Sequence, residues 1–267
     1  PVATLFRGVV PVVGGRFSGS FTVPKDITYR GGRGRISVYA SAAQVAAFGS
    51  VDGLVMSGTA PDAQPDTDGP DISMGIAGQS FNSGDFVPSK IRLHVTIEDV
   101  SGINIAGDVG HEIVLIVDGD RQDVTSKFQS GEDYRVGGFA VDLPSQEEGR
   151  HDISIEAWDT HNNWSEKRVT VQVSAAQVIE DALFHPNPTS GAGHFSFALS
   201  GPANVRIRVH SVSGRLVDEV SAAGNRGHNQ ILWEPPVRLA GGSYLYRITA
   251  MGDAGMATAD GVIQVKR

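Results

Sequence analysis

The chain has 267 residues, with 33 Gly, 13 Pro and no Cys, 40% hydrophobic and 7% aromatic residues, and a formal net charge of −8. Without cysteine there is no disulfide, no thiolate zinc site and no thiol nucleophile in these residues, and no run approaches the ~20 apolar residues of a membrane span. The charge is uneven, +1 over residues 1–70, −10 over 71–174 and +1 over 175–267, which argues against binding a nucleic acid backbone and suits either cations or plain solubility.

At ~100–200 residues per domain, the length allows two domains or three small ones. The sequence opens on PVATLFRGVV, without Met and without the basic and apolar regions of a signal peptide. The expectation is a segment cut from a longer protein. Gly14-Gly15, between VVPVV and RFSGSF, signals a hairpin. Phe17, Gly19, Phe21 and Val23 alternate with small or polar residues, as do Ile36, Val38 and Ala40, which predicts half-buried strands. Ser41–Phe48 (SAAQVAAF) is expected to be irregular. About 60 residues is thin for an independent core, so residues 1–60 are expected to complete an upstream sandwich. Residues 61–70, rich in Pro, Asp and Gly, read as a short, semi-rigid linker.

Residues 71–174 read as a complete immunoglobulin-like sandwich. Ile91, Leu93, Val95 and Ile97 face one way, with Arg92, His94, Thr96 and Glu98 facing the other. Glu112–Val117 is apolar after its first residue, the pattern of a central strand buried on both faces, and Asp118-Gly119-Asp120 ends it in a tight turn. Alternation returns at Phe139–Leu143, Ile153–Ala157 and Val169–Val173, with no helical period between. Trp158, following Ile153–Ala157, is expected to anchor the core. Residues 178–267 repeat the design, with apolar alternation at Phe195–Leu199, Val205–Val209 and Tyr244–Ile248. Ser213-Gly214 turns one hairpin, Pro235-Pro236 stops a strand, and Val262–Lys266 forms the last one. The fold class is therefore all-β, a tandem of immunoglobulin-like β-sandwich modules.

The segments HPNPTSGAGHFSFAL, VRIRVHSVSGRLV, NQILWEPPVRLAGGSYLYRI and GVIQVKR, in that order, resemble the C-terminal sorting domain of type IX secretion cargo, itself similar to the Ig-like domain of hook-capping proteins. Pro186-Asn187-Pro188 should hold the approach to its strands extended. Upstream, FTVPKDI, GGRGRISVYA, SGINIAGDVGHEIVLIVDGD and EAWDTHNN resemble the region after the peptidase domain of gingipain-type cysteine peptidases, the type IX sortase above all. The resemblance implies a parent enzyme with a Cys-His dyad at the outer-membrane surface of a Bacteroidetes-like bacterium. It also implies two partners, the upstream peptidase domain and the outer-membrane components of type IX secretion. That thiolate chemistry has no residue to carry it here, so the parent is a cysteine peptidase by resemblance and this chain has no catalytic residues. The implied function is non-catalytic: export, outer-membrane docking and domain spacing. Two alternatives stand beside it. One is the C-terminal sorting region of a secreted adhesin or hydrolase cargo, and the other is a carbohydrate-binding module, which needs aromatics exposed on one face.

No His spacing suits a metal or a catalytic dyad, and the eight histidines read as solvated or turn-capping groups. The run RGGRGR lacks the Lys-Ser/Thr of a phosphate loop and precedes a strand, so it reads as a basic turn. Asn163-Trp164-Ser165 matches a glycosylation triplet by coincidence. The acidic loops are more specific. In such a sandwich the start of the first strand, the loop after the second and the loop after the sixth share one pole. Those positions hold Asp66 and Asp68, Asp99, and Asp159 with Asn162 and Asn163. They supply the carboxylate, amide and carbonyl oxygens that calcium takes in sets of 6–8. Ordinary Asx turns are the other reading of the same residues. No cofactor is required; calcium or another hard cation is the one candidate.

Overall fold

A strand whose side chains alternate buried and exposed must find a second sheet to cover its apolar face. The computed structural model, which describes residues 4–25, 27, 33–56, 58, 65–79, 81–106, 110–237 and 239–266, shows two such pairs of sheets and one hairpin left open. The hairpin comes first, with β1 (Gly34–Ala42) antiparallel to β2 (Val45–Leu54). Ser41–Phe48, expected to be irregular, is the tip of this hairpin. Ala40 sits across from Ala47 and Ala42 across from Val45, so small apolar pairs continue the ladder up to the turn at Ala43-Gln44. Of the RGGRGR run, residues 30–32 lie outside the described residues, and Arg35 is a β1 residue paired with Asp52 at 3.3 Å.

The first sandwich packs one sheet of β3 (Asp71–Ile76), β4 (Arg92–Glu98), β8 (Val136–Asp142) and β7 (Gln129–Ser130) on a second. The second sheet holds β10 (Trp164–Val173), β9 (Gly149–Trp158), β5 (Val114–Val117) and β6 (Asp120–Asp123). One 3-10 turn, Thr125–Lys127, lies between β6 and β7. β4 shows the sequence logic plainly: Leu93, Val95 and Ile97 are buried and the residues between them exposed. They meet Ile113, Leu115, Ile153, Ile155 and Val171 from the facing sheet. Two expectations need correction here. β5 is central, yet Ile116 and Val117 are only half-buried, because its neighbour β6 is a short, wholly exposed polar strand. Trp158 is not a core anchor. Ile153, Ile155 and Ala157 point inward, so period 2 turns residue 158 outward, where it is half-buried edge-on to His111 at 4.6 Å.

The second sandwich packs β11 (Ile179–His185), β12 (Gly193–Leu199) and β15 (Gly227–Trp233) on a four-stranded sheet. That sheet holds β14 (Leu216–Gly224), β13 (Ala203–Ser211), β16 (Gly242–Gly252) and β17 (Gly255–Val265). Phe184, Phe195, Phe197, Ile207, Trp233, Tyr246 and Ile248 fill its interior. The approach to β12 is not simply extended, since the peptide bonds before Pro186 and Pro188 are both cis. The loop they shape is zipped to the last strand. Asn187 accepts from the Gln264 N–H and donates to the Val262 carbonyl, both at 2.8 Å, and Thr189 bridges Val265 in parallel.

Between the sandwiches the backbone is held rather than free. The Gln177 N–H donates to Ala254 O at 3.0 Å and its side chain to Gly201 O at 3.2 Å, while the Val178 N–H donates to Ser200 Oγ at 2.7 Å. At the other end, residues 4–25 run along the first sandwich. The Val9 N–H donates to Ser130 O, the Ser130 N–H to Arg7 O, and the Lys25 N–H to Thr160 O. The expected turn at Gly14-Gly15 is present, with both glycines at positive φ between the bridged pair Val13 and Arg16. The strand expected at Phe17–Val23 does not form. Among the described residues no strand pairs with it, and Phe21 stacks instead on Phe6 at 4.8 Å. Phe6, Phe21, Ile103, Ile105 and Tyr134 line a hollow of about 10 Å³ there, the room of one water at most. Among the described residues no helix is long and apolar enough to cross a membrane.

Candidate functional site at the linker pole

Three loops converge at one pole of the first sandwich: the end of the linker, the turn after β4 and the turn between β9 and β10. The turn after β4 is set by Asp99, whose Oδ1 accepts from the N–H and the hydroxyl of Ser101, both at 2.7 Å. Gly102 follows at φ +93°, and a Cβ there would meet the Tyr134 ring at 3.0 Å. The β9–β10 turn is built on Asp159, which is fully buried. Its Oδ1 accepts from the N–H groups of His161 at 2.9 Å and Asn163 at 2.7 Å. Its Oδ2 accepts from Asn163 Nδ2 at 2.8 Å and, more weakly, from Ser101 Oγ at 3.4 Å. Ser101 thus bridges the carboxylates of Asp99 and Asp159.

The linker arrives over this turn. Asn163 Nδ2 also donates to Asp66 O at 3.1 Å, and the Asp68 N–H donates to Asp66 Oδ1 at 3.3 Å. Gly69 lies so close to Trp164 that a Cβ would sit 2.5 Å from its carbonyl oxygen, so the linker crosses β10 only as glycine.

Of the six residues singled out from the sequence, the structure brings Asp66, Asp99, Asp159 and Asn163 into one contact network. Asp68 enters it through its backbone N–H, with its residue exposed. Asn162 occupies the left-handed position of the turn, at φ +69°. Linker residues 61–64 lie outside the described residues. Ser101 and His161 escaped the sequence reading. His161 offers a ring nitrogen within 4.8 Å of carboxylate oxygens of Asp66 and Asp159, although its sequence spacing matches no ligand motif. Its position two residues after Asp159 in an Asx turn was the available signal.

The electrostatics follow from burial. Burial pushes the Asp99 carboxyl above the usual carboxylate range against the lowering bonds from Ser101, and the neighbouring charges of Asp159 and Asp66 push the same way. Asp66 Oδ2 and Asn162 Oδ1 are enclosed and have no hydrogen-bond partner among the described residues. Chemically the pole is a set of oxygen acceptors with one imidazole at its edge, donors of the kind a hard cation takes.

Asn163 of the glycosylation triplet has its amide committed to Asp159 and Asp66, and Trp164 is half exposed.

No family model matches the chain, and no curated protein matches it. Among solved structures it is similar to dimeric latent PorU from Porphyromonas gingivalis, at 27% identity and a TM-score of 0.41, over 98% of this chain and 26% of that one. It thus spans about a quarter of the PorU chain. It is also similar to a two-domain fibronectin type-III segment of chicken tenascin, at 11% identity and a TM-score of 0.26, over 74% of this chain and all of that one (100%). A titin I-band fragment aligns at 16% identity and a TM-score of 0.26, over 90% of this chain and 77% of that one.

Proposed function

We propose that the chain is the non-catalytic C-terminal region of a gingipain-type cysteine peptidase, of the sortase kind that serves type IX secretion. In this reading the second sandwich directs export and docks at outer-membrane components of the secretion route. The first sandwich spaces it from the peptidase domain, and residues 1–60 complete a sandwich with preceding residues of that protein. The observation that carries the reading is the zipper between residues 187–189 and β17. It joins HPNPTSG and GVIQVKR, the two ends of the sorting-type resemblance, into one structural unit. The 27% identity to PorU over 98% of the chain agrees with it. The open hairpin agrees as well. Ile36, Val38, Ala40 and Ala42 lie across from Val51, Gly49, Ala47 and Val45, giving one wholly apolar face.

The test is a full-length parent protein produced in a bacterium with the type IX route, against the same protein lacking residues 178–267. The expected result is loss of the protein from the cell surface, with accumulation behind the outer membrane. Equal surface levels would overturn the reading. A surface form whose C-terminus falls before residue 178 would assign the chain to cleaved cargo instead.

A further inference from the structure

The linker pole gathers negative charge that no side chain of opposite sign balances: among the described residues, no ion pair reaches Asp66, Asp99 or Asp159. Two of these carboxylates belong to buried residues, Asp159 fully and Asp99 at 7% exposure. Burying a carboxylate is costly unless hydrogen bonds or a counter-charge replace its water. Asp159 meets that demand with three N–H donors and Asp99 Oδ1 with the N–H and hydroxyl of Ser101. Asp66 does not: its Oδ2 is shut off from solvent, without a donor, while the ligand atoms of Asp66, Asp159 and His161 lie within 4.8 Å of one another. A second enclosed acceptor without a partner, Asn162 Oδ1, sits on the same turn and is an amide rather than an acid. Orphaned acceptors beside carboxylates are what a bound cation satisfies.

We propose that this pole binds a calcium ion, with Asp66 and Asp159 as carboxylate ligands and Asn162 as an amide ligand, clamping the linker to the β9–β10 turn. The class of ion follows from the donors. Both unpartnered atoms are oxygens, and hard oxygen sets suit calcium, whereas zinc prefers nitrogen and sulfur. His161 is then a neighbour of the ion and not its anchor. The two partners clamped together come from distant parts of the chain, since Asn163 already donates to the Asp66 carbonyl 97 positions away. Calcium would therefore fix how the first segment and the first sandwich are joined, independently of which enzyme precedes them.

The experiment uses the whole chain, freed of metal with chelator and then titrated separately with calcium, magnesium and zinc chlorides. Thermal melting and titration calorimetry are the readouts. Saturating calcium is expected to raise the melting temperature by several degrees and to give a one-to-one heat. Asp66→Asn should abolish both effects, and His161→Ala should keep them. Because a variant can fail to fold, terbium is also titrated into the unaltered chain. Its luminescence, sensitised by the nearby Trp164, should appear and be displaced by calcium. No calcium heat and no calcium-displaceable terbium signal would overturn the proposal. So would stabilisation by zinc alone that disappears in His161→Ala.

Discussion

His151 and Asp118 form a paired contact across the β5–β6 turn: His151 Nδ1 lies 2.7 Å from Asp118 Oδ2, while Nε2 faces the Glu147 carbonyl at 2.9 Å. Both ring nitrogens meet acceptors, so only the imidazolium can donate to both. The Asp118 bond accordingly holds His151 above its ordinary value, against the opposing effect of burial. For Asp118, burial acts upward but is outweighed by the bonds from His151 and the Asp152 N–H, and its carboxyl is held low. The sign follows for each group. The His151 contribution is complete below the unfolded value, ~6.5, and fades as pH rises through the elevated folded value. The Asp118 contribution is present above the unfolded value, ~3.9, and fades as pH falls through the depressed one. The unaltered chain should melt at a higher temperature at pH 6 than at pH 8. His151→Gln should flatten that difference, at a cost of about 1 kcal/mol or less at pH 6, because Asp118 is partly solvated. Melting curves across pH 5–9 check this, and an unchanged slope in the variant would remove the pair from the account.

Trp233 is 1% exposed, at the centre of the second core, and its indole N–H donates to Asp218 Oδ2 at 2.9 Å. Trp233→Ala should cost about 3–5 kcal/mol, since it leaves a cavity and an unpaired acceptor together. Trp233→Phe should cost less. Denaturant unfolding followed by near-ultraviolet circular dichroism checks the order, and equal losses would mean that the cost lies in the indole N–H bond, which both variants remove, and not in the packed ring.

On the outer face of the second sandwich, Arg208 stands directly across from Arg247, a repulsive placement for two cations. Each is flanked on its other side by an acid, Arg208 by Glu219 and Arg247 by Asp260, both at 2.7 Å. Asp260→Asn should therefore lower the melting temperature in low salt and have no effect near 1 M salt, where such charges are screened. A loss independent of salt would point to packing instead.

Asn187 ties the 187–189 loop to β17 through two bonds. Asn187→Ala should cost about 1 kcal/mol and should speed amide hydrogen exchange at residues 262–266 while leaving β13 protected. Uniform acceleration across the sheet would refute a local clamp.

How much was legible in the sequence depended on what each residue answered to. β4 and β13 could be read directly, because their alternation reports one buried face. Trp158 could not, since its aromatic character outweighed the simple parity that turns it outward from Ile153, Ile155 and Ala157. Phe17–Val23 alternated without becoming a strand, because a ladder also needs an open edge beside it, and that edge is decided by the whole fold. At the pole, Asp66, Asp99 and Asp159 could be brought together on paper once the order of strands was guessed. For His161 the Asx turn at Asp159 was only half the signal, because its approach to Asp66 is completed by a linker returning from far upstream.

The open hairpin has a consequence for the molecule in solution. Among the described residues both of its strand edges are unpaired, and its apolar face is open, with Val45 70% and Val51 59% exposed. Such an edge templates the addition of a like strand. The shared net charge of −8, carried mainly by residues 71–174, opposes the approach of two copies. As acid brings the net charge toward zero, that repulsion fades, and residues 34–54 are the expected seam of self-association in the isolated chain.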